Sequence, residues 1–300
     1  MVEPQFKEVK FTVPWGHVAA KTYGPSEGKP VLMVHGRLDN AGSFTRLMKY
    51  LPLGTFYYVC IDLPGHGWSS HFPSWLALDY QIYIHALYFI LEALGWKKCI
   101  YIGHSMGGQI GLMFSALQPH RIEKLIVIDS FLGSYNQNPD FIMHLANSFA
   151  YTLGASSNSI KQDVLYTKEE ILHALKTRRI YTLNSEAADA LFERAVTEVN
   201  GKYKYNRDVR LKNASFSFIR NVDSIEYFHK LSVPIYLFIA SSGIFSSHME
   251  ELKLVLNKEN SKLKLQAINV NGNHDVHNNN PENVGPLVCE ILISDYSSKL

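Results

Sequence analysis

The stretch Gly103-His104-Ser105-Met106-Gly107-Gly108 follows an apolar run and opens a segment with helical patterning. It forms a Gly-x-Ser-x-Gly pattern between a predicted strand and a predicted helix. A serine on so sharp a turn needs small residues two positions before and after it, because larger side chains would collide with the adjacent backbone. Gly103 and Gly107 meet that requirement. The pattern therefore predicts that the Ser105 hydroxyl is presented as a nucleophile at the end of a strand.

Around this turn, short continuous apolar runs alternate with helical stretches. The runs lie at residues 31–34, 57–61, 98–102 and 125–128, and the helical stretches at 43–51, 78–94 and 106–117. Continuous apolar runs are typical of parallel strands that are covered on both faces, and their alternation with helices indicates βαβ units. The sequence thus predicts an α/β fold with a mostly parallel, doubly wound sheet.

The pattern changes after Asp129. Helical segments such as 168–176 and 186–199 follow, and strand-type sequence resumes only at 233–239 and 263–270, before a final helix at 281–293. We therefore predict a core formed by residues 1–130 and 233–300, interrupted by a helical cap of residues 131–232.

A serine hydroxyl is unreactive near neutral pH without a base, so a histidine should lie beside Ser105. His274 lies in the loop after the last predicted strand, which is the place of the base in a fold of this kind. His277 is the alternative, although it lies nearer the final helix. A metal site formed by His274, Asp275 and His277 is not favoured, because no further ligand cluster accompanies them.

The acid that would orient the imidazole is absent from its usual place. The loop at 240–248 holds no Asp or Glu, and the next carboxylates are Glu250 and Glu251. Asp129, however, ends the apolar run of 125–128, one helix and one strand after Ser105. We predict Asp129 as the acid, with the two glutamates and a water molecule as the alternatives.

An acyl-transfer site also needs two donors for the developing oxyanion. The first is the N–H of Met106, which points from the positive end of the helix toward the oxygen under attack. The second comes from the loop after the third strand, which reads His35-Gly36-Arg37-Leu38. The Arg37 N–H is the candidate there and the Leu38 N–H the alternative, while His35 is expected to be structural.

The charge and composition of the chain limit the classes of partner that it is expected to bind. The chain carries 29 Lys and Arg against 27 Asp and Glu, a net charge of +2, so no strong field favours nucleic acid or an anionic membrane. Its longest apolar stretch, residues 82–94, includes His85 and Glu92 and is too short to span a bilayer. A small-molecule substrate and no membrane span are the resulting expectations.

With residues 35–36, 62–67, Ser105 and His274 in place, the sequence resembles the α/β-hydrolase superfamily over nearly its whole length. Residues 35–44 and 65–71 are similar to the serine hydrolase-like proteins of animals, the kraken-like branch. The resemblance implies the α/β-hydrolase fold. Arg37 departs from the pattern, because an aromatic residue is expected at its position.

The predicted function is a serine hydrolase of the carboxylester hydrolase type. Ser105 would attack an ester, thioester or related acyl bond, His274 would shuttle the proton and Asp129 would orient His274, with no cofactor. A serine nucleophile argues against dehalogenases and epoxide hydrolases, which use an aspartate. The alternative is a ligand-binding protein of the same fold with negligible turnover, which the missing carboxylate after Ile239 supports.

The sequence given ends Ser298-Lys299-Leu300, the tripeptide that the peroxisomal import receptor binds. Residues 1–10 lack the apolar segment of a secretory signal. These features predict that the protein resides in the peroxisome, with the cytoplasm as a second location.

Overall fold

An eight-stranded sheet forms the centre of the computed structural model, which describes residues 3–132, 141–156, 164–212, 227–228, 230–244 and 263–294. Its strands are β1 Lys7–Val13, β2 Gly16–Tyr23, β3 Lys29–Val34, β4 Phe56–Ile61, β5 Cys99–His104, β6 Ile122–Ile128, β9 Ile235–Ser242 and β10 Leu265–Asn273. The remaining two described strands, β7 Val196–Val199 and β8 Lys202–Tyr205, pair with each other in a separate hairpin.

The strand order is β1-β2-β4-β3-β5-β6-β9-β10. β1 and β2 are antiparallel to their neighbours, and all the other pairs are parallel. The chain builds from β3 to β4 on one side and then crosses to β5 on the other, which creates a switch point between β3 and β5. Sites in such sheets lie at the carboxyl ends of the strands near this point. The predicted doubly wound, mostly parallel sheet is confirmed.

Two apolar layers cover the sheet, which explains why its central strands are apolar without alternation. Helices α1 Tyr80–Ala93 and α2 Met106–Leu117 pack on one face, and the C-terminal helix, Gly285–Ile293, packs on the other. The helix predicted at 43–51 is replaced by two 3-10 turns, Ala41–Phe44 and Leu47–Tyr50. The Asn40 side chain accepts a hydrogen bond from Gly42 N and caps the first turn, which ends after four residues.

Between β6 and β9 the described residues form three helices and the β7–β8 hairpin. The helices are α3 Phe141–Ser156, α4 Lys168–Thr177 and α5 Ser185–Ala195. The helix predicted to reach residue 199 therefore ends early, because Val196–Val199 pairs with β8. Asn200 and Gly201 form the turn with φ of 51° and 76°, the positive values that a two-residue hairpin requires. The described part of the insertion between β6 and β9 thus contains a β-hairpin as well as helices.

Buried arginines attach this cap to the core. The Arg194 guanidinium, which has no exposed surface, donates to both carboxylate oxygens of Asp62 and to Glu8 on β1. Arg210 binds Asp208 and donates to the carbonyls of Phe72 and neighbouring residues. These contacts hold the cap segment at 164–212 on the sheet. Within the described residues, no helix combines the length and the apolar character needed to cross a membrane.

Candidate active site

Ser105 occupies a strained turn between β5 and α2. Its backbone has φ 49° and ψ −120°, a conformation that costs a non-glycine residue on the order of 1–3 kcal/mol. Packing and hydrogen bonds hold it there: Ser105 N–H donates to Ile128 O at 3.2 Å, and Gln109 N–H donates to Ser105 O at 3.0 Å. The Ser105 hydroxyl makes no hydrogen bond to the helix that it precedes. The side chain is thus not used as a helix cap.

The glycines around this turn are required by close approaches. A Cβ at Gly103 would lie 2.6 Å from Gly107 O, and a Cβ at Gly107 would lie 2.2 Å from Val34 O. These are the collisions that the sequence pattern predicts. A Cβ at Gly36 would lie 3.1 Å from Ser105 Cβ. The loop after β3 therefore passes directly against Ser105.

The structure brings His274 and Asp129 together. His274 Nδ1 lies 2.6 Å from Asp129 Oδ2, with the His274 side chain 13% exposed and the Asp129 side chain fully buried. The neighbour of Ser105 reaches the same loop, because His104 Nε2 donates to His274 O at 3.0 Å and the two rings lie 4.6 Å apart. β5, β6 and β10 are parallel, so their carboxyl ends deliver these residues to one edge of the sheet.

Asp129 is held by backbone donors that the sequence does not reveal. Its Oδ1 accepts from Ala240 N at 3.1 Å, and its Oδ2 accepts from Ile244 N at 2.9 Å. A Cβ at Gly243 would lie 2.3 Å from both carboxylate oxygens, so only glycine leaves room for Asp129. The end of β9 and the residues after it, where the acid was expected, therefore supply N–H groups to an acid that directly follows β6.

The sequence also offered His277 as an alternative base, and Glu250 and Glu251 as alternative acids. His277 is fully buried, its ring lies 4.1 Å from that of His104, and burial lowers its pKa to about 3. Among the described residues neither ring nitrogen of His277 has a hydrogen-bond partner, so no acid orients it. Glu250 and Glu251 lie outside the described residues, as does the tripeptide 298–300.

The two candidate oxyanion donors are both available. Leu38 N–H donates to His66 Nε2 at 3.2 Å, which removes it as an alternative. For Arg37 N–H and Met106 N–H, no acceptor is found in the part of the chain that the structure describes. His35 is structural as expected, since its Nδ1 donates to Gly36 O at 2.7 Å and its Nε2 accepts from Leu63 N at 2.9 Å.

A buried charged cluster adjoins His274. Asp39, His104 and Asp275 place ligand atoms within 4.8 Å of one another, a different set from the His274, Asp275 and His277 considered above. Arg179, however, donates to Asp39 Oδ1 at 2.6 Å and to Asp275 Oδ1 at 2.9 Å. Because this guanidinium already pairs with both carboxylates and would repel a second cation, the cluster is an ion-pair network rather than a metal centre.

Comparisons with known proteins agree with this architecture. The family model described as alpha/beta hydrolase fold matches residues 29–264. A serine hydrolase-like protein from Danio rerio is 33% identical over 289 residues, covering 95% of this chain and 88% of the relative. Serine hydrolase-like protein 2 from Homo sapiens is also 33% identical, covering 95% and 93%.

Solved structures extend the agreement to three dimensions. The crystal structure of a hypothetical protein from Pseudomonas aeruginosa PAO1 superposes with a TM-score of 0.82 at 26% identity, covering 95% of this chain and 98% of that one. A thioesterase domain from the curacin biosynthetic pathway has a TM-score of 0.79 at 17% identity, with 95% and 99% covered. The solved structures show the fold, whereas the family model and the serine hydrolase-like relatives support a hydrolase. The chain belongs to the α/β-hydrolase fold family.

Proposed function

We propose that this hydrolase cleaves an ester, thioester or related acyl bond through an acyl-enzyme formed on Ser105. The observation that carries the proposal is the contact of 2.6 Å between His274 Nδ1 and the buried Asp129 carboxylate. With Nδ1–H donated to Asp129, Nε2 is left with its lone pair and can accept a proton from a hydroxyl. The relatives named serine hydrolase-like proteins also support a serine nucleophile in this proposal.

In the first half-reaction, Ser105 Oγ attacks the acyl carbon as His274 Nε2 takes its proton. The oxyanion of the tetrahedral intermediate receives hydrogen bonds from Arg37 N–H and Met106 N–H. His274 then passes its proton to the leaving group as the bond to that group breaks, which leaves the acyl group on Ser105. Asp129 stabilises the imidazolium that forms on the way.

In the second half-reaction, water replaces the alcohol or thiol. His274 takes a proton from the water, the resulting hydroxide adds to the acyl-enzyme, and the second tetrahedral intermediate collapses with the proton returned to Ser105 Oγ. The products are the carboxylic acid and the regenerated serine. Each step uses groups of the chain and water alone.

The alternative of a ligand-binding protein loses its main argument. It rested on the missing carboxylate after Ile239, but His274 has a buried carboxylate from β6 on its Nδ1. A binder has no chemical need for this pairing beside a strained serine. The hydrolase is therefore the function that we propose.

A fluorescent alkyl phosphonate tests the nucleophile. The wild-type protein is expected to be labelled, whereas Ser105→Ala should abolish labelling and lower turnover of an ester by several orders of magnitude. Ser115→Ala is the matched control, because Ser115 lies on the same helix and its buried hydroxyl donates to Gly111 O within that helix. Labelling that persists in Ser105→Ala would refute the proposal.

A further inference from the structure

The loop that carries His274 is held by the cap as well as by the core. Asn279 Nδ2 donates to Thr182 O at 2.9 Å, and Asn184 N–H donates to Asn279 Oδ1 at 2.9 Å. The ring of Tyr181 lies 5.2 Å from that of His274. We call residues 179–184 the cap strap. The cap strap is thus docked directly on the candidate active site.

Arg179, the first residue of the cap strap, joins two loops of the core. Its Nη1 donates to Asp39 at 2.6 Å, on the loop that supplies Arg37 N–H, and its Nη2 donates to Asp275 at 2.9 Å, next to His274. The two carboxylate side chains are only 2% and 3% exposed, and the Arg179 side chain is 18% exposed. These are charge-assisted bonds in a largely dry environment, where they are stronger than at the surface.

Arg179 balances charges that would otherwise separate the loops. Burial opposes ionisation of Asp39, yet Arg179 outweighs burial and holds the pKa of that carboxyl below its ordinary value. Burial raises the pKa of the Asp275 carboxyl, so the partner beside His274 is the more easily protonated of the two. Without the guanidinium, two buried carboxylates would face each other, and relief would need either loop movement or a bound proton.

We propose that Arg179 is a positioning residue of the hydrolase: by bridging Asp39 and Asp275 it sets the spacing between residues 35–39, which we call the oxyanion loop, and the loop that carries His274. This inference rests on the proposed function. Because Arg179 belongs to the cap strap, docking of the strap and assembly of the two catalytic loops are a single event. A misplacement of about 1 Å at such a site costs on the order of a hundredfold in rate, so loss of the Arg179 bridge should lower the rate of the reaction measurably.

The pH profile of kcat/KM distinguishes a positioning role of Arg179 from a contribution to the stability of the fold alone. The titratable and charged groups that face the His274 ring or its loop come from the cap strap, β5, the end of β6, the oxyanion loop, the segment between the two 3-10 turns and the loop itself. They are Arg179, Tyr181, His104, Asp129, Asp39, Arg46, Asp275 and His277. Removing a cation from this set favours the imidazolium, and removing an anion disfavours it.

The experiment uses p-nitrophenyl acetate across pH with three variants. Arg179→Met is expected to lower kcat roughly 10- to 100-fold with a smaller change in KM, and to move the acidic limb of kcat/KM to higher pH. Asp275→Asn should move that limb to lower pH. Arg194→Met is the matched control: it removes another buried cap arginine and should lower Tm without moving the limb.

The outcomes discriminate fully. A loss of kcat in Arg179→Met, together with opposite shifts of the limb in Arg179→Met and Asp275→Asn, supports the inference. An unchanged kcat in Arg179→Met overturns it, as do unchanged limbs, and as does a loss in Arg179→Met that merely parallels Tm and matches Arg194→Met. If Arg179→Met does not fold, Asp275→Asn decides alone, because an unshifted limb there overturns the inference. Wild-type protein that resists phosphonate labelling would instead refute the proposed function itself.

Discussion

The replacement Asp129→Asn is the sharpest test of the candidate site. Asparagine keeps the shape of aspartate and tolerates the positive φ of 42° at this position, so the backbone is expected to stay in place. The amide, however, offers one acceptor oxygen and one NH₂ group, where the carboxylate accepts three N–H donors. Those donors are Ala240 N–H, Ile244 N–H and His274 Nδ1–H.

The amide has two orientations, and each has a cost. With its oxygen in the place of Oδ2, it still accepts from Ile244 N–H and His274 Nδ1–H, but its NH₂ group opposes Ala240 N–H and the negative charge that stabilises the imidazolium is lost. If its oxygen stays on Ala240 N–H, the NH₂ group faces Ile244 N–H and His274, and the imidazole must then accept at Nδ1 and carry its proton on Nε2. That tautomer cannot take a proton from Ser105, so kcat should fall roughly 10³- to 10⁴-fold, about 4–5.5 kcal/mol in the activation barrier. An opposed backbone N–H also costs about 1–3 kcal/mol of folding free energy.

The assay measures kcat for an ester and Tm on the same preparations of Asp129→Asn and Glu250→Gln. We expect Asp129→Asn to lose nearly all turnover while Tm falls by a few degrees, since about 1 kcal/mol corresponds to roughly 1.5–2 °C in a protein of 300 residues. Glu250→Gln should leave both quantities close to wild type. A stable Asp129→Asn variant with most of its activity would refute the assignment, and a collapse confined to Glu250→Gln would relocate the acid.

Three further predictions rest on the structure, and a fourth rests on the sequence alone. Gly243→Ala should lower kcat, because its Cβ would lie 2.3 Å from both Asp129 carboxylate oxygens, whereas Gly54→Ala, with open space around it, should not; equal activities would contradict this. Asp129→Gly should regain at least tenfold in kcat when combined with Gly243→Asp, which returns a carboxylate to the same volume; a double variant no better than Asp129→Gly would count against that placement. His277 has a folded pKa of about 3 against an ordinary 6.5, so the unfolded chain binds more protons between these values and the unfolding free energy falls as pH drops through them. His277→Gln should therefore reduce the slope of that free energy near pH 5 by about 1.4 kcal/mol per pH unit in denaturant titrations, and an unchanged slope would contradict it. We also propose peroxisomal delivery: a fluorescent protein fused to this chain and ending in Ser298-Lys299-Leu300 should colocalise with a peroxisomal marker and become diffuse when the tripeptide is deleted, and a fusion that is diffuse throughout would refute this proposal.

Features that depend only on neighbouring residues in the chain can be predicted from the sequence. The central strands are predictable because a strand buried on both faces must be apolar throughout. Ser105 is predictable because its turn needs Gly103 and Gly107 wherever it occurs, and His274 because it directly follows the last strand. The β7–β8 hairpin could also have been found, since Asn200-Gly201 between valine- and tyrosine-containing segments is a strong hairpin signal.

The features that escaped prediction depend on contacts between distant parts of the chain. Arg179, Asp39 and Asp275 lie far apart in sequence, and none of them carries a pattern that points to the other two. The same holds for the donors to Asp129, because a backbone N–H has no sequence signature. In the sequence, Gly243 is one glycine in a loop, and nothing marks it as necessary. The need for glycine there is explained only by the Asp129 carboxylate that lies beside it in the structure.

The place of Asp129 follows from the construction of the sheet. β6 and β9 are parallel neighbours, with Ile128 paired to Phe238 and Asp129 N–H donating to Phe238 O at 2.8 Å, so the residues after both strands reach one edge. A carboxylate from either strand would therefore face the loop after β10. The two positions exclude each other, because a side chain at residue 243 would occupy the volume of the Asp129 carboxylate. The absence of an acid at residues 240–244 is thus the steric counterpart of the acid on β6, and it carries no argument against catalysis.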